Sequence, residues 1–78
     1  MEVYTVWEQA SREVYVLADS PDSAVMLVRE RNLFEEIEWE AWNGGATRTL
    51  PGELDEDYGL IWDDEDGWMS PSEVPLAP

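Results

Sequence analysis

The alternation of apolar and polar positions begins at the second residue. Glu2 to Glu8 (EVYTVWE) and Arg12 to Ala18 (REVYVLA) are rich in Val, Tyr and Trp, and a short polar stretch through Gln9, Ala10 and Ser11 separates them. β-Branched and aromatic residues fit a pleated, half-buried surface, so the pair predicts a β-hairpin. Successive side chains on a strand point to opposite faces. One inward set would be Val3, Thr5 and Trp7, the other Tyr4 and Val6; both hold bulky residues, and the pattern leaves the choice open.

The period changes after Ala18. Ser20 stands as an N-cap, Pro21 at the first helical position and Asp22 in the first turn, near the positive end of the dipole. Ala24, Leu27 and Val28, with Arg31 beyond, follow helical spacing, and Arg29 and Arg31 fall toward the end, where the dipole favours cations. This helix should lie across one face of the sheet and bury its Ala/Leu/Val stripe.

Alternation returns in Phe34 to Trp42 (FEEIEWEAW), which reads as a third strand. Glu36, Glu38, Glu40 and Trp42 would then share one face, and Ile37, Trp39 and Ala41 the other. Asn43 to Gly45 (NGG) predicts a closing turn, and Ala46 to Leu50 (ATRTL) a short fourth strand pairing back. From Pro51 the composition shifts: this part holds four of the five prolines and two acidic clusters, Asp55, Glu56, Asp57 and Asp63, Asp64, Glu65, Asp66. Between them Tyr58 to Trp62 reads as a short strand, with Asp63 to Gly67 as a turn leading to Trp68. The last eight residues, PSEVPLAP, are expected to be extended or disordered.

These elements define an α+β fold: a small antiparallel sheet of three to five strands with one helix packed on one face. Residues 1–50 form the β-β-α-β(-β) core, 51–70 an acidic extension able to fold as a short hairpin on that core, and 71–78 a flexible tail. At 78 residues the core leaves little stability margin, so each apolar residue matters.

Charge changes the picture most. Nineteen Asp and Glu face only Arg12, Arg29, Arg31 and Arg48, with no Lys, for a formal charge of -15. Such a surface is repelled by DNA, RNA and anionic membranes and is steered toward basic partners or cations. The absence of Cys removes disulfides and thiolate metal sites and fits a reducing cytosol. MEVYTVWEQ lacks the basic and apolar regions of a signal peptide, and no apolar run approaches the roughly 20 residues of a membrane span. The expectation is a cytoplasmic, soluble protein.

Catalysis has little to draw on. Without His, Cys or Lys, only Ser, Tyr and carboxylates remain as acids, bases or nucleophiles, and a chain this short offers little room for a cleft. An EF-hand register with Gly67 at its sixth position puts Asp64, Asp66 and Glu73 on ligand positions but Trp62 on the first and Pro71 inside the loop, which breaks the pattern. No enzyme, cofactor or dedicated metal site is expected. Trp7 and Trp39 read as core, whereas Trp42 and Trp68 are candidate interface anchors, Trp being the residue type most enriched at binding hot spots.

Solubility alone calls for a net charge of roughly 2 to 8 in a small domain, and -15 goes well past it. On a strand Glu36, Glu38 and Glu40 would repeat about every 6.7 Å, a regular line of anions like the one a nucleic-acid backbone offers a basic groove. The two C-terminal acidic clusters could extend that line.

A very short chain, this acidity, no Cys or His, and aromatic-rich strands together resemble small phage-encoded inhibitors, the anti-CRISPR and anti-restriction proteins. Several of these act as DNA mimics. Tyr4 to Glu30 is also similar to a strand-strand-helix unit common in small phage and plasmid proteins, which suggests a mobile-element origin. The resemblance implies a non-catalytic inhibitor that binds a basic nucleic-acid-binding protein, such as a CRISPR-Cas or restriction complex, and no nucleic acid or membrane directly. The expected contacts are Glu36, Glu38, Glu40, Asp55, Glu56, Asp57, Asp63, Asp64, Glu65 and Asp66, with Trp42 and Trp68 as anchors; monomer and dimer both remain open. The alternative is an assembly module, an accessory subunit for example, that uses an aromatic face and is kept soluble by its acid.

Overall fold

The computed structural model describes residues 1–9, 12–35, 37–54 and 59–74. Strands β1 (Glu2–Glu8) and β2 (Arg12–Ala18) form the expected hairpin, with Glu2 opposite Ala18 and Glu8 opposite Arg12. Helix α1 (Pro21–Glu30) follows as its signals require: the Ser20 hydroxyl accepts from the Ser23 N–H at 3.1 Å, Pro21 opens the helix, and Arg29 sits in the last turn. No helix among the described residues is long and apolar enough to cross a membrane.

Three further strands complete a five-stranded sheet: β3 (Gly44–Arg48), β4 (Ile61–Asp63) and β5 (Gly67–Met69), in the order β3-β1-β2-β4-β5. The expected sheet was antiparallel; this one is mixed, because β4 runs parallel to β2, pairing Tyr15 with Ile61 and Val16 with Trp62. β3 occupies the far edge beside β1, whereas β4 lies beyond β2. The parallel β2-β4 pair is joined through α1 and β3, a connection well above the roughly dozen residues that such a crossover requires.

Both faces of the hairpin are used, although Trp7, expected in the core, stands exposed instead. Tyr4, Val6, Val16 and Ala18 meet Ala24 and Val28 of α1 together with Phe34. On the opposite face Val3, Leu17 and Ile61 meet Val74, with Leu54 and Met69 packed around them. Thr49, the one buried polar residue among those described, shares a hydroxyl hydrogen bond with Thr5 and donates its N–H to the Val3 carbonyl at 2.8 Å.

Among the described residues of Phe34 to Trp42, the expected third strand is absent. Trp39–Ala41 forms a 3-10 turn instead. The reason is burial: Phe34, Ile37, Trp39 and Trp42 all pack on the α1-side core. A strand would send Trp39 and Trp42 to opposite faces, whereas a 3-10 turn brings residues three apart into line. Their ring centroids lie 5.5 Å apart, and Phe34 stacks on Trp39 at 6.3 Å.

Gly44 and Gly45 belong to a strand rather than to the expected turn, facing Glu8 and Trp7 of β1. Ala46–Arg48 is extended as expected, but as the continuation of that strand, and it pairs with β1 rather than back on Phe34 to Trp42. Of the last eight residues, expected to be extended or disordered, Pro71–Glu73 forms a 3-10 turn, and 75–78 lie outside the described residues. The Glu73 carboxylate accepts from the Ser70 N–H at 3.2 Å, and burial of Val74 gives this segment an apolar anchor.

Candidate functional site

The β4-β5 hairpin is held at its base by Ile61, which is fully buried between the second core cluster and β2. From that anchor the pattern IWDDEDGWM places Trp62 and Trp68 opposite each other on the α1 side of the sheet and sends Asp63, Asp64, Glu65 and Asp66 into the tip. Gly67 closes the turn at φ +76°, a left-handed conformation that a β-carbon disfavours. The Asp63 carboxylate accepts from the Glu65 N–H at 3.0 Å, a local turn bond typical of Asp. Asp64, Glu65 and Asp66 are exposed. The tip is thus a run of carboxylates on an ordered support.

Trp62 and Trp68 pack edge to face, centroids 5.2 Å apart. Trp62 leans on the α1-side core, while Trp68 remains 46% exposed. Between this pair and the chain leaving α1 runs an open groove of about 820 Å³, bordered by Arg12, Val14, Arg31, Leu33, Trp62 and Trp68. Both arginines make contacts there: Arg31 pairs with Asp64 of the tip, and Arg12 donates to the Glu35 carbonyl while facing Glu8 at 3.7 Å. The Arg31-Asp64 pair joins the end of α1 to the hairpin.

Of the residues expected to form the contact surface, the structure brings Asp63, Asp64, Glu65, Asp66 and Trp68 together. Glu38 and Glu40 are exposed, but at the 3-10 turn between α1 and β3, so they form no strand row. Glu36, Asp55, Glu56 and Asp57 lie outside the described residues. Trp42 turns toward Trp39 and the core instead of standing on an acidic face. Sequence reasoning missed Trp62, Arg12 and Arg31 as parts of one site. A usable signal was the Trp62/Trp68 spacing about a turn, which puts two indoles on one face of a hairpin.

The EF-hand register fares no better in space than in sequence. Asp64 and Asp66 sit on the hairpin tip, whereas the Glu73 carboxylate is engaged with the Ser70 N–H. Among the described residues no group of three or more His, Cys, Asp or Glu is arranged to hold a metal ion.

The fold and site together define a small α+β domain bearing an aromatic-backed acidic hairpin. No family model, curated protein or solved structure matches the chain.

Proposed function

We propose that this protein is a non-catalytic inhibitor that binds a basic, nucleic-acid-binding host protein, foremost a CRISPR-Cas effector or restriction complex, and blocks its access to nucleic acid. One observation carries the reading: the carboxylates of Asp63, Asp64, Glu65 and Asp66 stand at the tip of a core-anchored hairpin beside the exposed indole of Trp68. Anions ordered in advance lose less freedom on binding than a mobile acidic tail would. They can occupy a groove built for phosphates, and Trp68 adds an anchor that salt does not screen.

The charge is available for such a partner. Among the described carboxylates only Glu2, Glu8, Asp19 and Asp64 have a cation within 4.0 Å. The lack of His, Cys and Lys favours binding over catalysis. The resemblance in size and acidity to phage-encoded inhibitors supports the choice of target.

The test is capture from a bacterial lysate containing CRISPR and restriction complexes, with elution by a salt gradient and competition by duplex DNA. The expected result is a nucleic-acid-binding complex released at moderate salt and lost to DNA. It should be absent when the bait carries Asp63→Asn, Asp64→Asn, Glu65→Gln and Asp66→Asn. A partner that survives both salt and DNA would overturn the mimic and favour the aromatic assembly surface.

A further inference from the structure

We propose that the groove beside the β4-β5 hairpin receives an arginine side chain of the basic partner, held between the Trp68 indole and the tip carboxylates, and that Arg31 holds this position in the free protein. The inference rests on the reading that the partner is basic and names the chemistry it must present. Carboxylates alone attract lysine and arginine alike. An exposed indole alters that balance, because a guanidinium stacks on aromatic faces and meets carboxylates with a planar fork, whereas an ammonium is a compact and strongly hydrated point charge.

The parts stand in one place. Trp68 is fixed edge to face on Trp62 and is 46% exposed, Asp64 lies on the adjoining tip, and Val14 and Leu33 border the groove with apolar surface for an arginine stem. The protein supplies its own example: the Arg31 guanidinium borders this groove and pairs with Asp64. Both partners of that pair are about half exposed, so the bond is open to exchange with an incoming guanidinium. Charge also selects the occupant. A second copy of a chain with formal charge -15 would be repelled, and a basic segment attracted.

The experiment titrates the full-length protein with two labelled peptides of equal length and charge, one alternating Gly and Arg, the other Gly and Lys. The arginine peptide should bind tighter by on the order of 3- to 10-fold. Trp68→Leu should erase this difference and leave the lysine peptide unchanged, while Trp68→Phe should keep part of it. Arg31→Ala should strengthen arginine-peptide binding more than Arg29→Ala does, since Arg29 carries the same charge near the same helix end but does not border the groove. Thermal melts of each variant separate loss of fold from loss of site.

Equal binding of both peptides, weakened together when the tip is neutralised, would overturn the arginine site and leave the acidic reading standing. Binding of neither peptide would overturn both. Equal gains from Arg31→Ala and Arg29→Ala would overturn the exchange role of Arg31.

Discussion

At Gly44 an added β-carbon would lie 1.9 Å from the Trp7 carbonyl oxygen and 2.8 Å from the Trp42 ring, so this position requires glycine for close approach. Gly44→Ala is expected to destabilise the domain by about 1–3 kcal/mol in urea unfolding, the usual range for overpacking, because the obstacle is backbone. Gly45→Ala should cost less. There the nearest atom, at 3.0 Å, belongs to the Trp7 ring, which is 38% exposed and has room to shift. Tyr4 makes a second prediction at this scale. Its burial, and then the nearby Glu2 carboxylate, raise the phenol above its ordinary value near 10. The unfolded chain therefore releases this proton first as pH rises. Stability conferred by the neutral phenol is complete below about pH 10 and is lost as pH climbs from there through the folded value. Thermal melts at increasing alkaline pH should show the decline, and Tyr4→Phe should flatten it.

Among the elements, β1, β2 and α1 were legible from the sequence because local signals and tertiary demands agree there. Val, Tyr and Trp alternate in the hairpin, and Ser20 and Pro21 start the helix where Ala24 and Val28 need it. The segment from Phe34 to Trp42 misled because its glutamates alternate while its apolar residues do not serve two faces. Four large side chains required one core, and that demand overrode the strand pattern. The NGG signal failed for a related reason: its glycines accommodate Trp7 and Trp42 instead of making a turn. Half of the candidate site could be read. The acidic tip and Trp68 lie together in sequence, whereas Arg12 and Arg31 reach the groove only through the fold. Val74 was overlooked because a lone valine among prolines carries no periodicity. Its burial against Val3, Leu17 and Ile61 predicts that Val74→Ala lowers stability by about 2 kcal/mol in urea unfolding. An unchanged midpoint would show that this end does not stay on the core.

For the whole molecule the governing quantity is charge. With -15 on 78 residues and few ion pairs among the described residues, self-repulsion opposes the compact state, and salt screens it. Raising sodium chloride from low to physiological strength should therefore raise the melting temperature; each 1 kcal/mol recovered is worth roughly 4–8 °C in a domain of this size. The same addition should weaken partner binding, so stability and affinity are expected to move in opposite directions with salt. The most direct measurement is displacement of labelled duplex DNA from a purified CRISPR effector or restriction complex, the proposed target, by this protein and by the form in which Asp63, Asp64 and Asp66 become Asn and Glu65 becomes Gln. The native protein should displace DNA, less effectively as salt rises, and the neutralised form should lose most of this effect while keeping its fold. Equal displacement by both forms, or none by the native protein, would overturn the proposed DNA mimicry.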